Sequence, residues 1–147
     1  MIVFALRHAD RTPDPEDDLT PQGRERARLL ARMLAGSGIS TAFCSEALRT
    51  RRTIEPLKNL LGSRLDVLAI AGGATHVQQT VARVKNLRDD AVVAVIGHSD
   101  TIGPIIGGLG GPAIDPIAAH EFDKLFVISR APAGVSAVAL MRYGDPT

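Results

Sequence analysis

Aromatic side chains are scarce in this sequence. Phe, Trp and Tyr together make up 3% of its 147 residues, and tryptophan is absent. A chain so poor in rings offers no platform on which nucleic-acid bases could stack. Charge argues the same way: 17 Lys and Arg stand against 16 Asp and Glu, a formal net charge of +1. The basic run Arg24, Arg26, Arg28 and Arg32 falls on a helical stretch, where a solvated polar face accounts for it. A single cysteine, Cys44, excludes an internal disulfide and suits a reducing, cytoplasmic compartment. No apolar run approaches the roughly 18 residues a membrane helix needs. The apolar start, Met1 to Leu6, is too short for a signal-peptide core. These deficits predict a soluble cytoplasmic protein with no membrane and no nucleic acid among its partners.

What is present is a hydrophobic content of 45%, enough for one globular domain over residues 1–147 to bury a core. There is no repeat, no low-complexity tract and no linker-like shift in composition. Residues 2–6 form a continuous apolar run of strand length, the pattern of a strand buried on both faces. Thr20-Pro21 supplies an N-cap and a first-turn proline, and Ala27, Leu30, Ala31 and Leu34 repeat at helical spacing before Gly36. Residues 39–44 read as a second strand. A helix from about Glu46 follows, with Pro56 expected to kink or restart it. A weaker third strand spans 65–70, and Val77, Val81 and Val84 mark a third helix. Residues 91–96 are the clearest strand, rich in β-branched side chains. A short helix at 100–109 and a hairpin of strands 124–129 and 135–143 complete the chain. This alternation predicts a three-layer α/β/α sandwich with a mainly parallel central sheet and a C-terminal hairpin.

In open α/β sheets, ligands bind beyond the carboxyl ends of the strands. The first strand delivers Arg7 and His8 there, the second Ser45 with Arg49 one turn onward, and the fourth Gly97, His98, Ser99 and Asp100. Two of the chain's four histidines thus share a rim with two arginines. Arginine offers planar, permanently charged donors matched to phosphate oxygens. A neutral imidazole beside them can attack the phosphorus they polarise, and a protonated second histidine would stabilise the charge that develops. His76 and His120 lie outside these strand ends and read as structural. Cys44 reads as a small buried hydrophobe. It cannot head a Cys-x5-Arg loop, because Thr50 stands where the arginine would be.

Leu6-Arg7-His8-Ala9 resembles the Arg-His-Gly or Arg-His-Ala opening of the histidine phosphatase superfamily. Leu19 to Ala27 resembles its Leu-Thr-x-x-Gly-x-x-x-Ala helix start, and Ser45 to Thr53 its Ser-x-x-x-Arg-x-x-x-Thr segment. Gly97-His98-Ser99 is similar to its Gly-His segment, and Phe122 to Gly144 to the tail of small bacterial members. The resemblance implies a phosphatase hydrolysing phosphomonoesters or phosphohistidine through a phosphohistidine intermediate on His8. Arg7, Arg49 and His98 would hold the phosphoryl oxygens. Arg11, in the Arg7 to Pro13 stretch, matches an arginine of the acid-phosphatase branch and would touch phosphate or close a loop ion pair with Asp14 or Glu16. No metal and no other cofactor is implied. The partner would be a phosphorylated small molecule or a phosphoprotein.

The general acid departs from the family pattern. Ala71-Gly72-Gly73-Ala74 stands where mutase-like members carry a glutamate, and Ser99 separates His98 from Asp100. Asp100 is then the candidate acid, although arginines and a helix N-terminus would favour its ionised form. Two rival readings remain. One is a non-catalytic module of the same fold that binds a phosphorylated partner. The other is a serine hydrolase using Ser99, on the strength of Gly97-His98-Ser99-Asp100-Thr101 after a buried strand. Walls beyond the phosphate would come from residues 9–18, 71–76 and 111–123.

Overall fold

The computed structural model describes the backbone of residues 1–147 and every side chain except that of Ser136. Strands β1 (Ile2–Arg7), β2 (Thr41–Ser45), β3 (Asp66–Ile70), β4 (Val92–Gly97), β5 (Lys124–Ala131) and β6 (Gly134–Arg142) form one sheet. Their order is β3-β2-β4-β1-β5-β6. The first four pair in parallel, while β5 runs antiparallel to both β1 and β6. This is the expected α/β architecture, a mainly parallel sheet closed by a hairpin.

Four α-helices cover the sheet: α1 (Pro21–Leu34), α2 (Leu48–Leu61), α3 (His76–Lys85) and α4 (Ile102–Gly108). Leu30, Leu34, Ile54 and Leu57 of α1 and α2 pack on one face, against Leu6, Cys44 and Ile96. Val84, Ile102, Ile105 and Ile106 of α3 and α4 pack on the other, against Val3, Ala5, Val93 and Val95. The continuous apolar runs of β1 and β4 follow from this, since each strand feeds a core on both faces. No described helix is long and apolar enough to cross a membrane.

Local chemistry sets the ends. Thr20 Oγ1 accepts from the Gly23 N–H at 3.0 Å, and Pro21 occupies the first turn where no donor is needed. α2 begins at Leu48 and runs unbroken through Pro56, contrary to the expected kink or restart. Pro56 lies half-buried and shares a surface cavity with Arg52, Glu55 and Asn59.

Candidate active site

Arg7 pairs with Gly97 across β1 and β4, and Cys44 with Ile96 across β2 and β4. Three adjacent strands therefore end at one level, and the residues that follow them converge. A cavity of about 710 Å³ is lined by Arg7, His8, Arg11, Ser45, Arg49, His98 and Asp100, with Gly72, Gly73 and His76 opposite. Every residue predicted for the site lies here.

His8 is 2% exposed. Its Nδ1 lies 2.8 Å from the Ala9 carbonyl, which can only accept, so Nδ1 carries the proton and Nε2 keeps its lone pair. Burial lowers the His8 pKa to about 3, with Arg7, His98 and Arg49 adding repulsion. The imidazole is therefore neutral at pH 7.

His98 lies edge-on to His8, with ring centroids 5.4 Å apart. Arg49 Nη2 donates to its Nδ1 at 3.2 Å, which leaves Nε2–H to donate to Ser45 Oγ at 2.8 Å. Ser45 in turn meets Thr50 Oγ1 at 2.9 Å. The expected protonated form of His98 is not what this geometry holds. Burial first, then Arg49, lowers its pKa to about 4. The cations that would attract a phosphate also repel a proton from the ring.

The arginines are fixed differently. Arg7 Nη1 donates to the carbonyls of Ala118, Ala119 and Glu121 at 3.0, 2.8 and 3.0 Å, and its guanidinium lies 4.2 Å from the Phe122 ring centre. Burial, with Arg49 and Arg11 nearby, lowers its pKa. Arg49 pairs with Asp17, which also accepts from the Leu48 N–H at 2.7 Å. Burial pushes the Asp17 carboxyl up, but the Arg49 guanidinium and the Leu48 N–H outweigh it and leave its pKa lowered. The Nε–H groups of Arg7 and Arg49 are buried without a hydrogen-bond partner among the described residues. Unspent buried donors on two cations in one cavity fit an anion. Arg11 lines the same cavity but is tied to Asp14 and to the Glu16 carbonyl, so the loop ion pair is the contact it makes.

The remaining motif residues brace this rim. A Cβ on Gly23 would come within 2.0 Å of the Asp10 carbonyl oxygen, and one on Gly97 within 2.8 Å of Thr101 Oγ1. Thr53 Oγ1 accepts from the Ala9 N–H at 2.9 Å and donates to the Arg49 carbonyl at 2.8 Å, coupling two segments that line the cavity. Asp10 and Arg26 form a buried pair at 2.6 Å.

Two residues within the segments expected to wall the pocket, 9–18 and 71–76, have contacts that the sequence did not assign to them. Asp17, in a polar loop without periodicity, pairs with Arg49. His76, read as structural, is 5% exposed and lines the cavity, with Nδ1 3.0 Å from the Ala71 carbonyl. It follows the carboxyl end of β3, so the strand-end rule applied to that strand would have found it. Ser99 makes no hydrogen bond to an imidazole among the described residues, and His120 is exposed, so no hydrolase triad forms around Ser99.

A pH dependence of stability follows from His8. An unfolded histidine takes up its proton near pH 6.5, whereas folded His8 refuses it until about pH 3. Between these values the unfolded chain binds more protons, so stability is lost as pH falls. At pH 5 the His8 share is on the order of 2 kcal/mol. Denaturant unfolding of His8→Ala is thus expected to lose less stability between pH 7 and 4 than wild type. Equal losses would contradict a buried neutral His8.

Residues 6–70 match the family model of the Histidine phosphatase superfamily (branch 1). The chain is similar over its whole length to the protein histidine phosphatase SixA complexed with tungstate, with 24% identity, a TM-score of 0.71 and 97% of each chain covered. It also resembles a phosphoglycerate mutase from Plasmodium falciparum, with 14% identity and a TM-score of 0.64, covering 97% of this chain and 89% of that one. The family match covers a little under half of the chain, and the likeness to these solved structures shows a shared fold. Among curated proteins, the PE-PGRS family protein PE_PGRS11 of Mycobacterium tuberculosis is 30% identical over 113 residues, or 76% of this chain. The match spans 18% of that protein's length.

Proposed function

We propose that residues 1–147 act as one cytoplasmic domain, a metal-independent phosphatase whose nucleophile is His8. The observation that carries the reading is a neutral imidazole, Nε2 unprotonated, in a cavity with two arginines whose buried Nε–H groups have no partner. In the first step His8 Nε2 gives its lone pair to phosphorus, forming an N–P bond as the bond to the leaving group breaks. The leaving group departs with that electron pair. In the second step water attacks phosphorus, the N–P bond breaks, and inorganic phosphate and neutral His8 return. Arg7 and Arg49 hold the phosphoryl oxygens throughout, which supplies the charge a metal would otherwise bring. A phosphoryl group beside His98 also offsets the repulsion from Arg49, letting that ring protonate and join the hold.

The leaving group receives little help. Gly72 and Gly73 line the cavity where mutase-like relatives carry a glutamate, and Asp100 is exposed at its edge. A placed acid is typically worth 10²–10⁴-fold for a poor leaving group. The substrates favoured are therefore those that leave unaided: aryl phosphates, and phosphohistidine, whose imidazole has a conjugate pKa near ~6.5. The test is kcat/KM across a series of leaving groups, for wild type and Asp100→Asn. A steep dependence on leaving-group acidity, little changed by the substitution, is expected. Alkyl phosphates cleaved as fast as aryl ones, with that activity lost in Asp100→Asn, would make Asp100 the acid.

A further inference from the structure

A second cavity, of about 440 Å³, adjoins the site and shares Ser99 and Asp100 with it. Its walls are Pro104 and Gly107 of α4, and Ile114, Pro116 and Ile117 of the segment that follows. Apolar side chains dominate, and the charged groups on it are Asp100 and Asp115. Resting on the phosphatase reading, we propose that this cavity is the leaving-group subsite. It takes the compact, uncharged, aromatic ring of a small phosphomonoester.

Three observations carry the assignment. The first is continuity. Ser99 and Asp100 lie on both cavities, so a group attached to a phosphoryl held by Arg7 and Arg49 can pass from one into the other.

The second is the unexplained glycine. Glycine inside a helix costs roughly 1 kcal/mol relative to alanine. Of the three α4 glycines, Gly108 is required by packing, since a Cβ there would meet Val81 at 2.6 Å, whereas one on Gly103, which also lines the cavity, would make ordinary contact with Ile114 at 3.4 Å. A Cβ on Gly107 would meet nothing within 4 Å, and Gly107 has no positive φ that demands glycine. Its effect on the molecule is to keep the cavity wall bare.

The third is charge. Asp100 and Asp115 face this cavity, while the phosphate site holds Arg7, Arg11 and Arg49. An anionic leaving group, such as a second phosphate or a carboxylate, would meet two carboxylates. A neutral ring meets isoleucine and proline.

The experiment separates the subsite from the chemistry by using leaving groups of similar acidity but different size. Phenyl and 1-naphthyl phosphate serve, with acetyl phosphate as a donor too small to reach the cavity. Wild type should favour 1-naphthyl over phenyl phosphate in kcat/KM by on the order of tenfold, the scale of added apolar contact in a pocket. Gly107→Leu, whose Cβ would meet no neighbour within 4 Å and whose side chain adds bulk to the cavity wall, should lower the 1-naphthyl to acetyl phosphate ratio about tenfold, mainly through KM. Gly107→Ala should lower it less. Turnover of all three by wild type, with no size preference and an unchanged ratio in both variants, overturns the subsite and leaves the phosphatase reading standing. Failure of wild type to turn over any of them removes both.

Discussion

His8→Ala should abolish phosphatase turnover while the protein stays folded. Both halves of that expectation come from the same geometry. In the proposed mechanism Nε2 supplies the lone pair that attacks phosphorus, and the other nucleophilic groups nearby are differently placed. Ser45 Oγ is committed to His98 and Thr50, and Cys44, buried in the core, has a thiol pKa raised by that burial. His76 lines the cavity from the start of α3, with its Nδ1 at 3.0 Å from the Ala71 carbonyl. The fold should persist because the His8 ring bonds to the carbonyl of its own neighbour, Ala9, while its backbone N–H bond to Gly97 survives substitution. Its ring is neutral, so its removal leaves no buried charge without a partner. Far-ultraviolet circular dichroism and a cooperative unfolding transition would report the fold, and a chromogenic aryl phosphate the activity. Residual turnover near that of wild type would exclude His8 as nucleophile.

Arg7→Ala and Arg49→Ala should each cost on the order of 2–4 kcal/mol of transition-state stabilisation, the scale of a lost oxyanion donor. The two should nevertheless differ in what else they disturb. Arg7 is held by three carbonyls of residues 118–121, so its loss also releases that segment and should lower stability. Arg49 is held by the side chains of Asp17 and His98 and by no carbonyl of a distant segment, so its loss should act chiefly on kcat/KM. It should also raise the His98 pKa, since Arg49 is the main charge depressing it. Lysine at either position keeps the charge but loses the planar fork, and rescue should be partial. Turnover in the wild type should survive EDTA, because these cations carry the charge stabilisation. Full activity in either alanine variant would take that arginine out of the mechanism.

Most of the rim was legible in the sequence because the strands that carry it are buried on both faces. β1 and β4 read as unbroken apolar runs, and the first polar residues after them are the ones at the site. β3 was weaker for a physical reason: it is the sheet edge, its Leu68 is 42% exposed, and its pattern does not alternate cleanly. His76 was missed with it. The helix-start glycine, Gly23, could be recognised as a motif, but its cause, the Asp10 carbonyl pressed against it, exists only in three dimensions. The same holds for Thr53, which bridges Ala9 and Arg49. The protonation of His98 could not be read from residue type, because it depends on burial and on which way Arg49 turns. Pro56 misled in the other direction. A proline inside a helix removes one hydrogen bond and crowds the carbonyl four residues earlier, yet α2 carries Pro56 without a break.

The central claim is a phosphoryl group carried on His8, and trapping it is the most direct test. Wild-type protein mixed with labelled aryl phosphate and quenched within its first turnovers should yield a protein-bound phosphate that is acid-labile and base-stable, as a phosphoramidate is. Peptide mapping should place it on His8, and His8→Ala should yield none. An acid-stable adduct, or one mapped to Ser45, Ser99 or Cys44, would contradict the account.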